Sequence, residues 1–378
     1  MESTLSPASL PTVFLGSTGL RVTPMCLGTM GFCEGDSAPA HKTREADAVA
    51  ILDAYVARGG NFVDTADVYG DGASERVIGR WLAARPPELR GKLVLVTKAR
   101  GAVGAGAGPN DAGLSRAHLA RALDASLARL RTSYVDIYMM HHTDPGTPLD
   151  ETLHFLADAM SAGKIHYYAW ANTTGAQTAA IVAAAARLRC APPAAVSPQY
   201  SLLCRETEWE ILPAAAAAGV AVLPWSPLKG GWLTGKAGCG DGGAAPPAGS
   251  RIAAAEAARG PGPTKECAPG WAEFRDSPRA AATLAALGAV AARAHASLAQ
   301  AALRWLLHRR AVTAIILGAK TVAQLEENLG ALSITLTPED VRALDLASEV
   351  PLPDVYRIVY GRVQEGRERG DAPTSYKP

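Results

Sequence analysis

Residues 93–98 read LVLVTK, and residues 134–141 read YVDIYMMH. Both are short runs dominated by β-branched, aromatic and long apolar side chains. Both end in a polar residue, Lys98 in the first and His141 in the second. Between them lies Ser115–Arg131, with a serine placed as an N-terminal cap and Leu119, Leu123, Leu127 and Leu130 on one helical face. A run that is apolar throughout, rather than alternating, is expected of a strand covered on both sides. Strand, helix, strand in this form implies two parallel neighbours in one sheet.

The unit recurs in both directions along the chain. Strand-like runs lie at residues 25–29 (MCLGT), 61–66 (NFVDTA), 165–172 (IHYYAWAN), 195–200 (AVSPQY), 220–226 (VAVLPWS) and 312–319 (VTAIILGA), which with the first two makes eight. Helical spacing is read over residues 46–58, 149–162, 174–188, 208–218, 280–309 and 324–332. Eight strand–helix units favour an α/β fold of the closed (β/α)8 TIM-barrel kind over an open doubly wound sheet. The opening VFLGSTGLRVT (residues 13–23) reads as an N-terminal β-hairpin capping the bottom of that barrel. Two segments interrupt the repeat: residues 100–113, rich in glycine, and residues 235–278, a long Gly/Ala/Pro loop after the seventh strand. Loops of that length are usually functional or mobile. Residues 1–378 are expected to form a single barrel domain with its core at about 13–348. The polar tail 349–378 is read as a solvated appendage.

The 378 residues carry 37 Lys and Arg against 36 Asp and Glu, a net charge of +1. That balance argues against a nucleic-acid binder, which needs a basic surface. No run of about 18 apolar residues exists, so no membrane span is expected. The N-terminus lacks a charged segment followed by an apolar stretch, so no secretory signal is read, though organelle targeting is left open. The cysteines are Cys26, Cys33, Cys190, Cys204, Cys239 and Cys267, with no CxxC pair and no zinc-type spacing. Reduced thiols, a cytoplasmic setting and no metal follow as expectations. Only nine residues are lysine. A lysine closing an apolar strand is therefore informative.

In a barrel of this kind, chemistry sits where strands end and the following loops begin. The second strand ends at Asp64, with Asp67 and Tyr69 just beyond. The third ends at Lys98 and the fourth at His141 and His142. Asn172, Gln199 and Trp225-Ser226 close the next three, and Gly318, Lys320 and Thr321 follow the last. A tyrosine phenol near pKa 10 exchanges protons poorly at neutral pH. A nearby ammonium lowers that value, a carboxylate orients the ammonium, and an imidazole can donate to a carbonyl oxygen. Asp64, Tyr69, Lys98 and His141 thus suit protonation of an alkoxide as hydride reaches carbon, with no metal.

These residues stand in motifs that resemble the aldo-keto reductase superfamily. NFVDTADVYG (61–70) resembles the signature carrying the catalytic Asp and Tyr. LVTKAR (95–100) resembles the catalytic Lys strand, and VDIYMMHHTDP (135–145) the catalytic His strand, with His141 aligned. GPNDAGLSR (108–116) and TPLDETL (147–153) resemble the aryl-alcohol dehydrogenase-like subgroup. The resemblance runs from about Val13 to Leu346. It implies a reductase that converts aldehydes or ketones to alcohols, with NADPH lying across the C-terminal face of the barrel.

The resemblance also implies a cofactor site. Gly28, Thr29 and Asp64 would belong to it. Asn172 and Gln199 would hold the carboxamide of the nicotinamide, with Ala171 replacing the usual serine, and Trp225 would stack on that ring. WSPLKGGWLTG (225–235) would cover the pyrophosphate through Ser226, Pro227, Leu228, Gly230 and Leu233. LGAKTVAQLEEN (317–328) supplies Gly318, Lys320, Thr321, Gln324, Glu327 and Asn328 at the adenosine end. Lys320 and Thr321 would meet a 2′-phosphate. Gln324 replaces an arginine of many NADPH-specific members, which leaves NADH open. Phe32 and His142 are candidates for the substrate pocket, and Trp232 and Trp271 fall in rim loops.

Two other classes are weighed. One is an NADPH-binding regulatory or sensor protein on the same scaffold. The other is a metal-dependent barrel hydrolase or lyase, for which only His141 and Asp64 offer ligands. The glycine run 101–108 meets neither the dinucleotide nor the P-loop pattern.

Overall fold

A computed structural model describes residues 9–104, 108–237, 245–257 and 271–358. The expected loop segments at 105–107, 238–244 and 258–270, with Cys239 and Cys267, lie outside the described residues. So does the tail 359–378.

An antiparallel hairpin pairs β1 (Val13–Phe14) with β2 (Arg21–Val22). Eight parallel strands follow: β3 (Met25–Gly28), β4 (Phe62–Asp64), β5 (Val94–Ala99), β6 (Val135–Met140), β7 (Ile165–Ala171), β8 (Ala195–Ser197), β9 (Ala221–Val222) and β10 (Ile315–Leu317). They are hydrogen-bonded in the order β10-β3-β4-β5-β6-β7-β8-β9. Parallel bridges Val222↔Val312 and Trp225↔Ile316 join the two ends and close the circle. All eight expected strands are present, mostly shortened at their ends.

Strand parity sorts the side chains into two layers, because neighbours on a strand face opposite ways. Cys26, Phe62, Val94, Val96, Ile137, Met139, Ala169, Ala171, Ala195, Ala221 and Ile316 belong to an inner cluster. Leu27, Val63, Leu95, Tyr138, Met140, Trp170, Val196 and Leu317 belong to the cluster shared with the surrounding helices. The hairpin seals the bottom. Leu15 and Val22 are fully buried within the inner cluster, and the Ser17 N–H donates to the Gly219 carbonyl at 3.0 Å. Gly16 is required there. Its φ is +55°, and an added Cβ would lie 2.8 Å from the Ala221 nitrogen.

Helices cover the outside. Helix Arg116–Leu130 starts at Ser115, whose Oγ accepts the His118 N–H. Capping boxes open Gly175–Leu188 and Leu298–Leu307. The long helix expected over 280–309 is instead two, Pro278–Arg293 and Leu298–Leu307, bent by 93°. His295 adopts a left-handed φ of +49°, and Ser297 with Gln300 restarts the helix. Helices Ala73–Ala83 and Pro338–Ala347 complete the shell and were not expected. Among the described residues, no single helix is long and apolar enough to cross a membrane.

Candidate active site

The inner columns of β4, β5 and β6 end upward in polar residues. Asp64 continues the parity of Phe62. Lys98 continues that of Val94 and Val96, and His141 that of Ile137 and Met139. The register sets Asp64 beside Val96 and Lys98 beside Met139. The chain beyond β4 stays tied to β5, since the Asp67 N–H donates to the Lys98 carbonyl at 3.1 Å. Tyr69 follows on that tied turn.

Lys98 is the hub. Its Nζ donates to Asp64 Oδ2 at 2.6 Å, to the Thr65 carbonyl at 2.8 Å and to Tyr69 Oη at 3.1 Å. All three ammonium protons therefore have acceptors. The rings of Tyr69 and His141 meet edge to face, with centroids 5.8 Å apart. His142 stacks on His141 at 5.3 Å and 13°. The expected Asp64, Tyr69, Lys98 and His141 thus converge at one mouth. Asp64 and Lys98 are buried, whereas Tyr69 and His141 are half-buried and reach the opening.

Burial works against the charge on Lys98, but Asp64 and the Tyr69 oxygen outweigh it and hold the ammonium above the ordinary lysine range. Burial pushes Asp64 up, and Lys98 pulls it back. For Tyr69 the expectation of a lowered pKa is corrected. Burial raises the phenol above its ordinary value, and the opposing pull of Lys98 only moderates that. The phenol therefore rests protonated, as a proton donor. Burial, then the charges of Lys98, His142 and Arg100, push His141 down to about 2. A neutral imidazole at working pH can donate one hydrogen bond without carrying charge.

Asp67 lies directly behind this group. Both its carboxylate oxygens are buried without a hydrogen-bond partner among the described residues. Burial, then the charge of Glu75, push it up to about 7. Glu75 accepts from Thr97 Oγ1 at 2.5 Å and pairs with Arg129 at 2.6 Å. A carboxyl that stays protonated in the native state to about pH 7, but ionises near its ordinary value when unfolded, makes native stability fall as pH rises between those values. Asp67→Asn removes this titration. Its melting temperature relative to wild type is expected to rise from pH 5 to pH 8, read by thermal melts. A difference independent of pH would contradict it.

The cofactor candidates ring the same mouth. Asn172 has a left-handed φ of +56°. Its Nδ2 donates to the His141 carbonyl at 2.9 Å, and its Oδ1 accepts from Trp225 Nε1 at 3.0 Å. Gln199 is bridged to Trp225 through the backbone, and Cys204 Sγ lies 3.6 Å from its Oε1. Ser226 (φ +55°) and Gly230 (φ +68°) bend the next loop. Pro227 and Leu233 are buried beneath it, and Leu228 is half-buried. Lys320 donates its Nζ to the Ala40 carbonyl. Its N–H is accepted by Gln324 Oε1 at 2.8 Å, and Thr321 caps helix Val322–Leu329. Gly318 is exposed beside Gly28, Glu327 is exposed, and Asn328 is buried. Thr29 directs its hydroxyl inward, to the Asp64 carbonyl and Ser74.

The rim aromatics differ from expectation. Phe32 is 1% exposed within the helix-side core, so it does not line the opening. Trp232 and Trp271 are buried and stacked on each other at 5.3 Å. A backbone carbonyl, Thr65, holds Lys98, and sequence carries no signal for such a partner. Two arginines were also missed: the charge of Arg251 reaches the Tyr69 phenol, and that of Arg100 reaches His141. Among the described residues, no three His, Cys, Asp or Glu cluster to hold a metal ion.

Comparison with known proteins gives the family. The model of the aldo/keto reductase family matches residues 24–349. An uncharacterized oxidoreductase of Bacillus subtilis, YrpG, is 35% identical, with 88% of this chain and 94% of that protein covered. A protein named for a voltage-gated potassium channel beta subunit, from Schizosaccharomyces pombe, is 31% identical over 93% of this chain and 97% of its own length. Norsolorinic acid reductase of Emericella nidulans is 29% identical, covering 90% and 83%. With barrel, strand-end residues and family model in agreement, this chain belongs to the aldo/keto reductase family of oxidoreductases.

Proposed function

We propose that the protein reduces aldehydes or ketones to alcohols with NADPH, with Tyr69 as the proton donor. One observation carries the reading: Lys98 Nζ bridges Asp64 at 2.6 Å and Tyr69 Oη at 3.1 Å at the open end of the barrel.

The rim residues fit a dinucleotide. A half-buried indole, Trp225, is braced by Asn172, and a turn with left-handed φ at Ser226, Lys229, Gly230 and Gly231 presents backbone beside it. Lys320 offers a cation beside a capped helix start. Asn172 and Gln199 would hold the nicotinamide carboxamide, and Lys320 with Thr321 a 2′-phosphate. When bound, NADPH supplies the hydride that goes to the carbonyl carbon. Tyr69 gives its phenolic proton to the carbonyl oxygen as negative charge builds there. Lys98, held charged by Asp64, stabilises the phenolate left behind. Neutral His141 donates to the same oxygen and orients it. The half-buried mouth limits water around these groups. Residues 13–348 act in this reading as one barrel unit.

Aldehyde-dependent NADPH oxidation by purified protein tests the reading. Turnover with aromatic aldehydes supports it, and no turnover with aromatic, aliphatic or keto-sugar carbonyls contradicts it. Lys320→Ala is expected to weaken NADPH by roughly ten- to a hundredfold, the worth of a charge-assisted phosphate contact. NADH is expected to change far less. Fluorescence titration of both cofactors reads the difference, and equal losses would remove the 2′-phosphate assignment. A second reading, a cofactor-binding regulatory subunit, is favoured by the channel-subunit relatives. Tight NADPH binding without carbonyl turnover would select it.

A further inference from the structure

One charged group at the mouth takes no part in the proton chain. Arg100 lies two residues beyond Lys98, and residues two apart on a strand share a face. It is the first residue beyond β5, and the parity of the strand carried on by one residue places it at the mouth, about 6–7 Å further towards solvent than Lys98. Its carbonyl accepts the Gly113 N–H at 2.8 Å, which fixes the backbone there. The side chain is half-buried. Among the described residues its buried Nε has no hydrogen-bond partner, and Arg100 enters no ion pair. A guanidinium nitrogen withdrawn from water without an acceptor is costly, and the planar fork of the group matches a carboxylate.

The surroundings point the charge at the reacting centre. Arg100 contributes to the depressed values of both His141 and His142. Asp144 feels the charge of Arg100, but its oxygens are engaged by the N–H groups of Leu114 and Gly146 and by the Thr147 hydroxyl, and it forms no ion pair with Arg100. Asp64 is already paired with Lys98. Arg100 thus adds positive charge beside the two histidines at the opening, where an anionic group would be attracted.

We propose that the carbonyl substrate carries a carboxylate, held by the Arg100 guanidinium with the exposed His142 imidazole beside it, while its carbonyl oxygen faces Tyr69 and His141. This rests on the reductase reading above. One pleat separates the acid from the reacting carbonyl, so two or three carbons, or one benzene ring, fit between them.

The test compares 4-carboxybenzaldehyde with its methyl ester, methyl 4-formylbenzoate, under NADPH. Wild type is expected to favour the acid in kcat/KM by about tenfold or more, the scale of one charge-assisted contact. Arg100→Met is expected to bring the acid-to-ester ratio near unity. Arg100→Lys should retain part of it. Raising the salt concentration should shrink the wild-type preference. A wild type that reduces both equally overturns the proposal. So does an Arg100→Met variant that loses both equally, which would mark a supporting role for the loop around Asp144. If neither aldehyde is turned over, the reductase reading fails alone. Calorimetric binding of 4-carbamoylbenzoate to the protein with NADP+ then decides. Weakening of about tenfold in Arg100→Met upholds the anion site, and unchanged binding overturns it.

Discussion

Replacing Tyr69 by phenylalanine is expected to lower kcat for aldehyde reduction by about 10²- to 10⁴-fold, the usual worth of a positioned general acid. The change deletes one oxygen at the mouth and leaves Lys98 two of its three acceptors, Asp64 and the Thr65 carbonyl. NADPH binding and melting temperature should stay near wild type, because the half-buried ring keeps its place against His141. The depressed His141 supplies no substitute proton near neutral pH. Steady-state kinetics and cofactor titration check both halves. A variant turning over within a few-fold of wild type would remove Tyr69 from the proton path.

Lys98→Met is expected to lose activity to a similar degree and also to destabilise the fold. Lys98 and Asp64 are 3% and 2% exposed, and the pair is joined at 2.6 Å. Removing one partner of a buried ion pair leaves the other charge uncompensated, at a cost of about 3–5 kcal/mol. The double variant Asp64→Asn/Lys98→Met should recover much of that stability and none of the activity. Thermal melts and turnover together separate the two effects. The pH dependence has a definite sign. Lys98 is held above its unfolded value, so its contribution is full below the ordinary lysine pKa and is lost as pH rises through the folded one. A single variant as stable as wild type would contradict the buried pair.

Much of the barrel was legible because its strands are buried on both sides. Continuous apolar runs such as LVLVTK and VAVLPWS stand out against the Ala- and Leu-rich helices. Parity did the rest, since a polar residue continuing an inner column has nowhere to go but the mouth. That is why Asp64, Lys98 and His141 were visible. The helix break at His295–Ser297 was hidden, because alanine and leucine run through both sides and a left-handed histidine leaves no pattern. Helix Ala73–Ala83 was missed although Val77, Ile78 and Trp81 share its buried face; it carries a glycine, Gly79, in its interior. The structure explains that glycine: an added Cβ would lie 2.0 Å from the Arg129 carbonyl oxygen, where a neighbouring helix end presses close. Helix Pro338–Ala347 carried a readable signal, Thr337 with Asp340 as a capping box and proline in its first turn. The site was less legible where partners are backbone, as at Thr65, or where burial decides the outcome. Burial puts Phe32 into the core and sets the net direction of the Tyr69 phenol.

The most direct test follows the hydride and the proton in one reaction. Protein is mixed with an aromatic aldehyde and NADPH deuterated at the nicotinamide C4, and the alcohol is analysed by mass spectrometry. Deuterium from the cofactor is expected on the carbinol carbon in wild type, with its rate of appearance collapsing in Tyr69→Phe. An alcohol that carries no cofactor deuterium, or one that forms undiminished without the phenol, would contradict hydride transfer coupled to protonation by Tyr69.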